Sequence, residues 1–235
     1  EKKPVSGVKV WLKFRGINYS CEIFVNGQKV NKEPFEGMFL RKAFDITSLL
    51  ANNGKNRLAV IVYPSNSPGN PNGGQGGDGT IAKNVAIQYT AGWDWIRPIR
   101  DRNTGIWDKV QIEKTGLVNL KDPHVITLVS GVRTPEGTQQ PATVRTTADL
   151  ENTSDSPVSG ILTFKINGQT VAEKLTLPAK SSKTYKIKDL IVSNPKLWWP
   201  AGYGSQNLYD AEFSFTPNGQ KVSDFEKLQV GIREI

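Results

Sequence analysis

Apolar and polar residues alternate with a period of two along most of this chain, and neither half carries an amphipathic helix of ordinary length. Val8 to Phe14 alternates and predicts a strand. Glu22–Val25 and Gln28–Val30 flank Asn26-Gly27 and predict a hairpin, because both turn residues tolerate positive φ. Phe44–Thr47 leads into Ser48-Leu49-Leu50, one short helical turn, and Arg57 to Tyr63 is the next strand. Pro64 to Thr80 is rich in Gly, Asn, Pro and Ser and cannot bury anything. A solvated loop is expected there, long enough to form the rim of a site. Its Gly-Gly-Gln-Gly-Gly run lacks the following helix and Lys-Ser/Thr that phosphate binding needs. A strand is expected from Ile106 to Lys114, and Thr115 to Pro123 reads as a linker.

Beyond that linker the strands are shorter and evenly spaced. Ala142–Leu150 alternates. Leu162–Ile166 meets Gln169–Val171 across Asn167-Gly168. Lys183–Lys188 alternates, and Ala211–Phe215 is followed by Asn218-Gly219 and a last strand near Leu228–Ile232. About seven strands in this length fit an immunoglobulin-like sandwich, without the disulfide of antibody domains. The chain is therefore expected to be all-β and to form two sandwiches.

Composition changes this picture little. No apolar run spans a membrane, and Glu1-Lys2-Lys3-Pro4 carries no signal-peptide pattern. The single cysteine, Cys21, excludes an internal disulfide and reads as a small buried hydrophobe. The net charge of +8 raises nucleic-acid binding, but Lys165, Lys174, Lys183, Lys186 and Lys188 are scattered singly. Such lysines serve solubility and guard strand edges, so no nucleic-acid partner is expected. His124, the only histidine, opens a strand with no Ser or Cys motif nearby. Neither a hydrolytic triad nor a metal site is expected, and no cofactor is implied.

The candidate chemistry lies in Gly92 to Trp107, which holds three of the six tryptophans. Trp93 and Trp95 offer flat apolar faces, Asp94 and Asp101 offer acceptors, Arg97, Arg100 and Arg102 offer forked donors, and Asn103 offers an amide. A sugar has an apolar C–H face and a hydroxyl rim, which such a group suits. Composition alone favours the other reading, in which the same residues plug a sandwich corner, with Asp–Arg pairs bridging a turn.

Four features and the terminal segment resemble the non-catalytic N-terminal half of glycoside hydrolase family 2 enzymes. Val10–Tyr19 with Ile23–Gln28 looks like the family's sugar-binding jelly roll, and Phe44–Leu50 with Asn56–Val60 continues it. Thr104–Val110 looks like its closing strand. Asn194–Pro200 with Gln206–Tyr209 looks like the end of the sandwich domain, and Val230–Ile235 resembles the strand that runs into the catalytic barrel. Gly92-Trp93-Asp94-Trp95 is most similar to the β-mannosidase, endo-β-mannosidase and exo-β-glucosaminidase branches.

The resemblance implies residues 1–115 as a galactose-binding-like jelly roll lacking its opening strands, and residues 118–235 as the immunoglobulin-like sandwich. It implies that the (β/α)₈ barrel is absent from this chain, and with it the two catalytic carboxylates, which a retaining enzyme holds about 5–5.5 Å apart. Asp94 and Asp101 are not those carboxylates. Asp94 is implied as a contact to sugar hydroxyls, with Trp93, Trp95, Arg97, Asp101 and Asn103 around it. The implied function is pocket shaping and barrel support in a secreted or periplasmic enzyme cleaving β-mannosidic or β-glucosaminidic bonds. The competing class is a stand-alone carbohydrate-binding or adhesion module. Trp198 and Trp199 lie where the family places no pocket and read as packing near the domain junction. Asn18-Tyr19-Ser20 and Asn152-Thr153-Ser154 are glycosylation sequons.

Overall fold

Two Asn-Gly pairs close their hairpins as the pattern requires. Asn26 and Gly27 have φ of 52° and 80°, and Asn167 and Gly168 have 50° and 71°. A computed structural model describes residues 1–67, 83–86 and 104–234. The chain divides into two units, Glu1–Lys114 and Thr115–Ile235.

The first unit contains β1 (Lys9–Phe14), β2 (Ile17–Asn18), β3 (Ser20–Val25), β4 (Gln28–Lys29), β5 (Phe35–Glu36), β6 (Lys42–Asp45), a 3₁₀ turn (Thr47–Leu49), β7 (Leu58–Tyr63), β8 (Gly105–Ile106) and β9 (Val110–Thr115). One sheet runs β6-β1-β9. A second centres on β3, with β4, β5 and β7 paired to it, and β2 pairs β8 in a short ladder. Alternation on β1 and β3 sends Val10, Leu12, Phe14, Cys21, Ile23 and Val25 into one core with Ile17, Phe35, Ile46 and Leu50. Lys9 and Lys13 point the other way and pair with Asp45 and Glu113. Buried Asn31 bridges two backbones. It accepts from the Ile23 N–H at 2.8 Å and donates to the Cys21 and Glu33 carbonyls at 3.0 and 2.8 Å. The strand expected from Ile106 to Lys114 is instead two, β8 and β9, separated at Trp107–Lys109.

The second unit is a sandwich of seven antiparallel strands: β10 (Val118–Val129), β11 (Ala142–Asn152), β12 (Val158–Ile166), β13 (Gln169–Leu177), β14 (Ser181–Val192), β15 (Tyr209–Pro217) and β16 (Asp224–Val230). One sheet is β10-β11-β14 and the other β13-β12-β15-β16. Phe164 and Phe213, directly cross-strand, stack tilted at 4.7 Å in a core with Leu120, Leu150, Leu162 and Ile187. The expected linker at residues 115–123 is overturned from Val118 onward, where β10 already runs. Asp122, at φ 46°, forms a bulge before Pro123, so the strand absorbs a proline that cannot donate to the ladder. The last strand likewise starts earlier than expected, at Asp224.

Both sequons are structural. Asn18 is 3% exposed, and Asn152 is 1% exposed. The Asn152 amide donates to the Ser156 and Pro178 carbonyls at 2.9 Å, and its oxygen accepts from Ser154. No acceptor nitrogen is accessible at either triplet in the folded chain.

Candidate functional site

Trp93, Asp94, Trp95, Arg97, Asp101 and Asn103 lie outside the described residues, as does Pro68 to Thr80 of the expected rim. What is described is the frame from which these stretches leave and to which they return. Before the motif, Asn84 clamps Ser67. Its side-chain oxygen accepts from the Ser67 N–H at 2.6 Å, and the Ser67 carbonyl accepts from the Lys83 N–H at 3.1 Å. After the motif, β8 pairs with β2, matching Ile17 to Ile106 and Asn18 to Gly105.

Trp107 anchors that return. Its indole N–H donates to the Met38 carbonyl at 2.9 Å, and its backbone N–H donates to the Gly16 carbonyl at 3.2 Å. The ring meets Phe39 edge-on, 6.0 Å between centroids and 71° between planes. Trp107 remains 47% exposed and Phe39 49%, so the pair presents an aromatic surface beside the end of the motif. Aromatic rings with a free face are what a sugar's C–H face stacks on. Trp107 belongs to the sequence motif, but Phe39 does not. The only trace of Phe39 in the sequence is the apolar run Met38-Phe39-Leu40 in a stretch without strand alternation.

Glu22, Lys29 and Tyr63 form another polar group of this unit. Tyr63 donates to Glu22 at 2.8 Å, and Lys29 pairs with the other carboxylate oxygen. Hydrogen bonds from Lys29 and then Tyr63 hold the Glu22 carboxyl below its ordinary range. The same bonds raise the Lys29 ammonium and the Tyr63 phenol. These are cross-strand partners on β3, β4 and β7, and they account for one another. Cys21 is fully buried, and desolvation pushes its thiol up to about 11, which removes it as a nucleophile. His124 is solvent-exposed and faces Thr147. Among the described residues no three His, Cys, Asp or Glu cluster as a metal site would require, and no helix is long and apolar enough to cross a membrane.

The second unit holds a cleft of about 540 Å³ beside Trp198 and Trp199, the two residues expected to pack near the domain junction. Both line it, with Val132 and Arg133 from the β10–β11 loop, Tyr203, and Arg233 and Glu234 from the segment after β16. The Arg233 guanidinium lies over the Trp198 ring at 4.9 Å. Two glycines make room for the indoles. A Cβ at Gly231 would fall 2.9 Å from Trp198, and one at Gly204 would fall 2.8 Å from Trp199.

Comparison with known proteins accounts for both halves. Residues 2–108 match the galactose-binding-domain-like model of glycosyl hydrolase 2, and residues 129–233 match the glycosyl hydrolases family 2 model. Over 96% of its length the chain is 39% identical to a mannosylglycoprotein endo-beta-mannosidase of Lilium longiflorum. Over 98% it is 30% identical to an exo-beta-D-glucosaminidase of Streptomyces avermitilis. The chain spans 24% of the length of each of these relatives. The crystal structure of the Amycolatopsis orientalis exo-chitosanase superposes on all of this chain and 25% of its own, with a TM-score of 0.78 and 26% identity. The relatives are thus glycoside hydrolases, and this chain corresponds to only part of each. The (β/α)₈ barrel is not in these residues. Matched in order by two models of one family and similar to its members along its whole length, the chain belongs to glycoside hydrolase family 2.

Proposed function

We propose that this chain is the non-catalytic N-terminal portion of a retaining glycoside hydrolase acting on β-mannosidic or β-glucosaminidic bonds. In the parent enzyme it shapes the substrate pocket and supports a catalytic barrel. One observation carries the reading: nearly all of the chain aligns with relatives named for those activities, yet it spans only 24% of their length. The Asp94 cluster contacts the sugar, and the exposed rings of Trp107 and Phe39 offer further aromatic surface on the same unit. The parent acts outside the cytoplasm, in a secreted or periplasmic compartment.

Charge favours a mannoside over a glucosaminide. The net charge of +8 falls almost wholly on residues 1–114, the unit carrying the candidate motif. A glucosamine polymer is a polycation when its amines are protonated, and a basic surface repels it over a Debye length of about 10 Å. A mannoside is neutral and meets no such barrier.

The test is the parent enzyme and its Asp94→Ala variant, assayed on aryl β-mannosides and aryl β-glucosaminides. Hydrogen bonds to a charged group are worth about 1.5–3 kcal/mol, so kcat/KM should fall about tenfold to a hundredfold while the melting temperature holds. A variant that loses stability but keeps normal kcat/KM in its folded fraction would make Asp94 a structural ion-pair partner. A reading frame with no barrel after residue 235 would leave the carbohydrate-binding module. The 235-residue chain alone should hydrolyse neither substrate.

A further inference from the structure

We infer that Asn218 is a site of spontaneous deamidation, and that the fold confines this chemistry to it by shielding the other described Asn-Gly pairs. Water is the only co-reactant.

Asparagine before glycine is the pair in which a backbone amide reaches a side chain most easily, because the glycine has no Cβ to block the approach. The Gly219 nitrogen gives its proton to solvent and bonds to Asn218 Cγ. The Cγ–Nδ2 bond breaks, the leaving nitrogen takes a proton from solvent, and ammonia departs from a cyclic imide. Water then opens the ring at either carbonyl, leaving an aspartyl or a β-aspartyl residue. Nothing is oxidised or reduced. The reaction needs a free side-chain amide, a free following N–H, and a backbone able to turn the one onto the other.

The described residues hold four Asn-Gly pairs, and three are shielded. Both ends of the Asn26 amide are held. Its nitrogen donates to the Leu49 carbonyl and to Asn56 Oδ1, each at 2.8 Å, and its oxygen accepts from the Arg57 N–H at 2.9 Å. At Asn53 the attacking nitrogen is occupied. The Gly54 N–H donates to the Ala51 carbonyl at 3.2 Å, and Asn53 Oδ1 accepts from the Lys55 N–H at 3.0 Å. Asn167 is exposed, but its backbone is fixed. It and Gly168 alone join β12 to β13, and the ladder closes on them with Ile166 opposite Gln169. Turning Asn167 out of its left-handed conformation would open that closing pair.

Asn218 meets every condition. It and Gly219 are exposed, and neither the Asn218 side chain nor the Gly219 N–H has a hydrogen bond among the described residues. Strand β15 ends at Pro217 and β16 starts at Asp224, so the connection is wider than a two-residue turn. The Asn218 N–H is anchored on the Ser159 carbonyl at 2.9 Å, which holds the attacked residue in place. The Gln220 N–H donates to the Pro217 carbonyl at 3.1 Å, and opening that one bond frees the Gly219 nitrogen to swing toward Asn218 Cγ. Exposed Lys221 and Val222 absorb the movement before Ser223, whose N–H is tied to the Phe215 carbonyl at 2.8 Å. Each event takes one positive charge from the net +8, and the β-aspartyl product lengthens the main chain in a loop with room for it.

The test is incubation of the 235-residue chain at mildly alkaline pH, natively and in concentrated urea, with tryptic peptide mapping by mass spectrometry. An isoaspartyl methyltransferase reports the β-aspartyl product. Trypsin puts every pair on its own peptide, including Asn72-Gly73, which lies outside the described residues. In urea the four pairs should react at similar rates, because the shielding is gone. In the native chain Asn218 should react about tenfold or more faster than Asn26, Asn53 or Asn167. Asn218→Ser should abolish that product and leave the other three rates unchanged. A native chain in which any of the three reacts as fast as Asn218 would overturn the inference. The same preference for Asn218 in urea would also overturn it, by placing the cause in local sequence rather than in the fold.

Discussion

Gly16→Ala tests whether the frame of the candidate site is held as described. A Cβ at Gly16 would fall 2.6 Å from Nε1 and 2.7 Å from Cζ2 of Trp107, far inside van der Waals contact. Two responses are open. If the indole swings into solvent, the bond to the Met38 carbonyl is lost, worth about 1 kcal/mol net. The edge contact with Phe39 goes with it, worth about 0.5–1.5 kcal/mol. If instead the backbone yields, overpacking costs about 1–3 kcal/mol. Gly16 is not left-handed, so alanine recovers about 0.4–1 kcal/mol from the unfolded chain. The first route leaves a loss of about 0.5–2 kcal/mol and the second about 0–2.5 kcal/mol, both centred near 1.3 kcal/mol. In a unit of this size a loss of about 1.3 kcal/mol lowers the melting temperature by about 5–10 °C. The assay is thermal melting by circular dichroism in wild-type and Trp107→Leu backgrounds. Without the indole the clash disappears, so Gly16→Ala should cost almost nothing there, and the coupling should exceed about 1 kcal/mol. An equal cost in both backgrounds would refute the packing described. Because β8 carries the return of the Trp motif and pairs with β2 beside Gly16, the same substitution in the parent enzyme should raise KM.

Three further outcomes are expected. Burial alone would raise the Asp45 carboxyl, but hydrogen bonds from Lys9 and Thr47 outweigh it and leave it lowered. Glu22 and Asp189 are lowered through Lys29 and Arg145 respectively. A lowered folded pKa stabilises above the unfolded value of about 4 and is lost as pH falls through the folded value. Melting temperature should therefore hold at neutral pH and drop below about pH 4, with a shallower acid limb in Asp45→Asn; an unchanged limb in that variant removes Asp45 from the cause. Cys21 should resist thiol reagents at pH 8 and react only as its unit opens, so rapid stoichiometric labelling under native conditions would contradict its burial. Residues 115–235, whose seven strands share one core, should fold alone as a monomer with a single cooperative melt; aggregation of that piece would contradict it.

The period of two was enough to place most strands, because each sandwich buries one face of each sheet. Val10, Leu12 and Phe14 turn inward while Lys9 and Lys13 turn out to acidic partners, so most of the burial pattern is written in the alternation; Trp11, at an outward position, is buried as well. The turns were legible where chemistry forces them, as at Asn26-Gly27 and Asn167-Gly168. Asn218-Gly219 was legible only as a turn. Asn218 is not left-handed, and the loop runs on until the Ser223 N–H donates to the Phe215 carbonyl. Residues 115–123 misled for a related reason. Gly116 and Pro123 are breakers by type, but a bulge at Asp122 lets the sheet keep its pairing on both sides. Local residue preference does not report whether a neighbouring strand is present to hold an irregular one in place.

The site was legible differently. Trp, Asp and Arg side chains advertise their chemistry by type, so the motif from Gly92 to Trp107 could be chosen from sequence. Its partners could not. Phe39 comes beside Trp107 only because the Met38 carbonyl takes the indole N–H across a separation of 69 residues. The cleft on the second unit was hidden for the same reason. Val132, Tyr203 and Arg233 lie in three separate segments, none with a pattern of its own, and only the pairing of Trp198 with Ile232 and of Thr127 with Arg233 gathers them. Two glycines show how a neutral-looking residue decides such a surface. Gly204 and Gly231 carry no chemistry, yet a methyl group on either would displace an indole from the cleft wall. Periodicity therefore reads what each sheet buries, while a site assembled from loops depends on contacts that no single segment encodes.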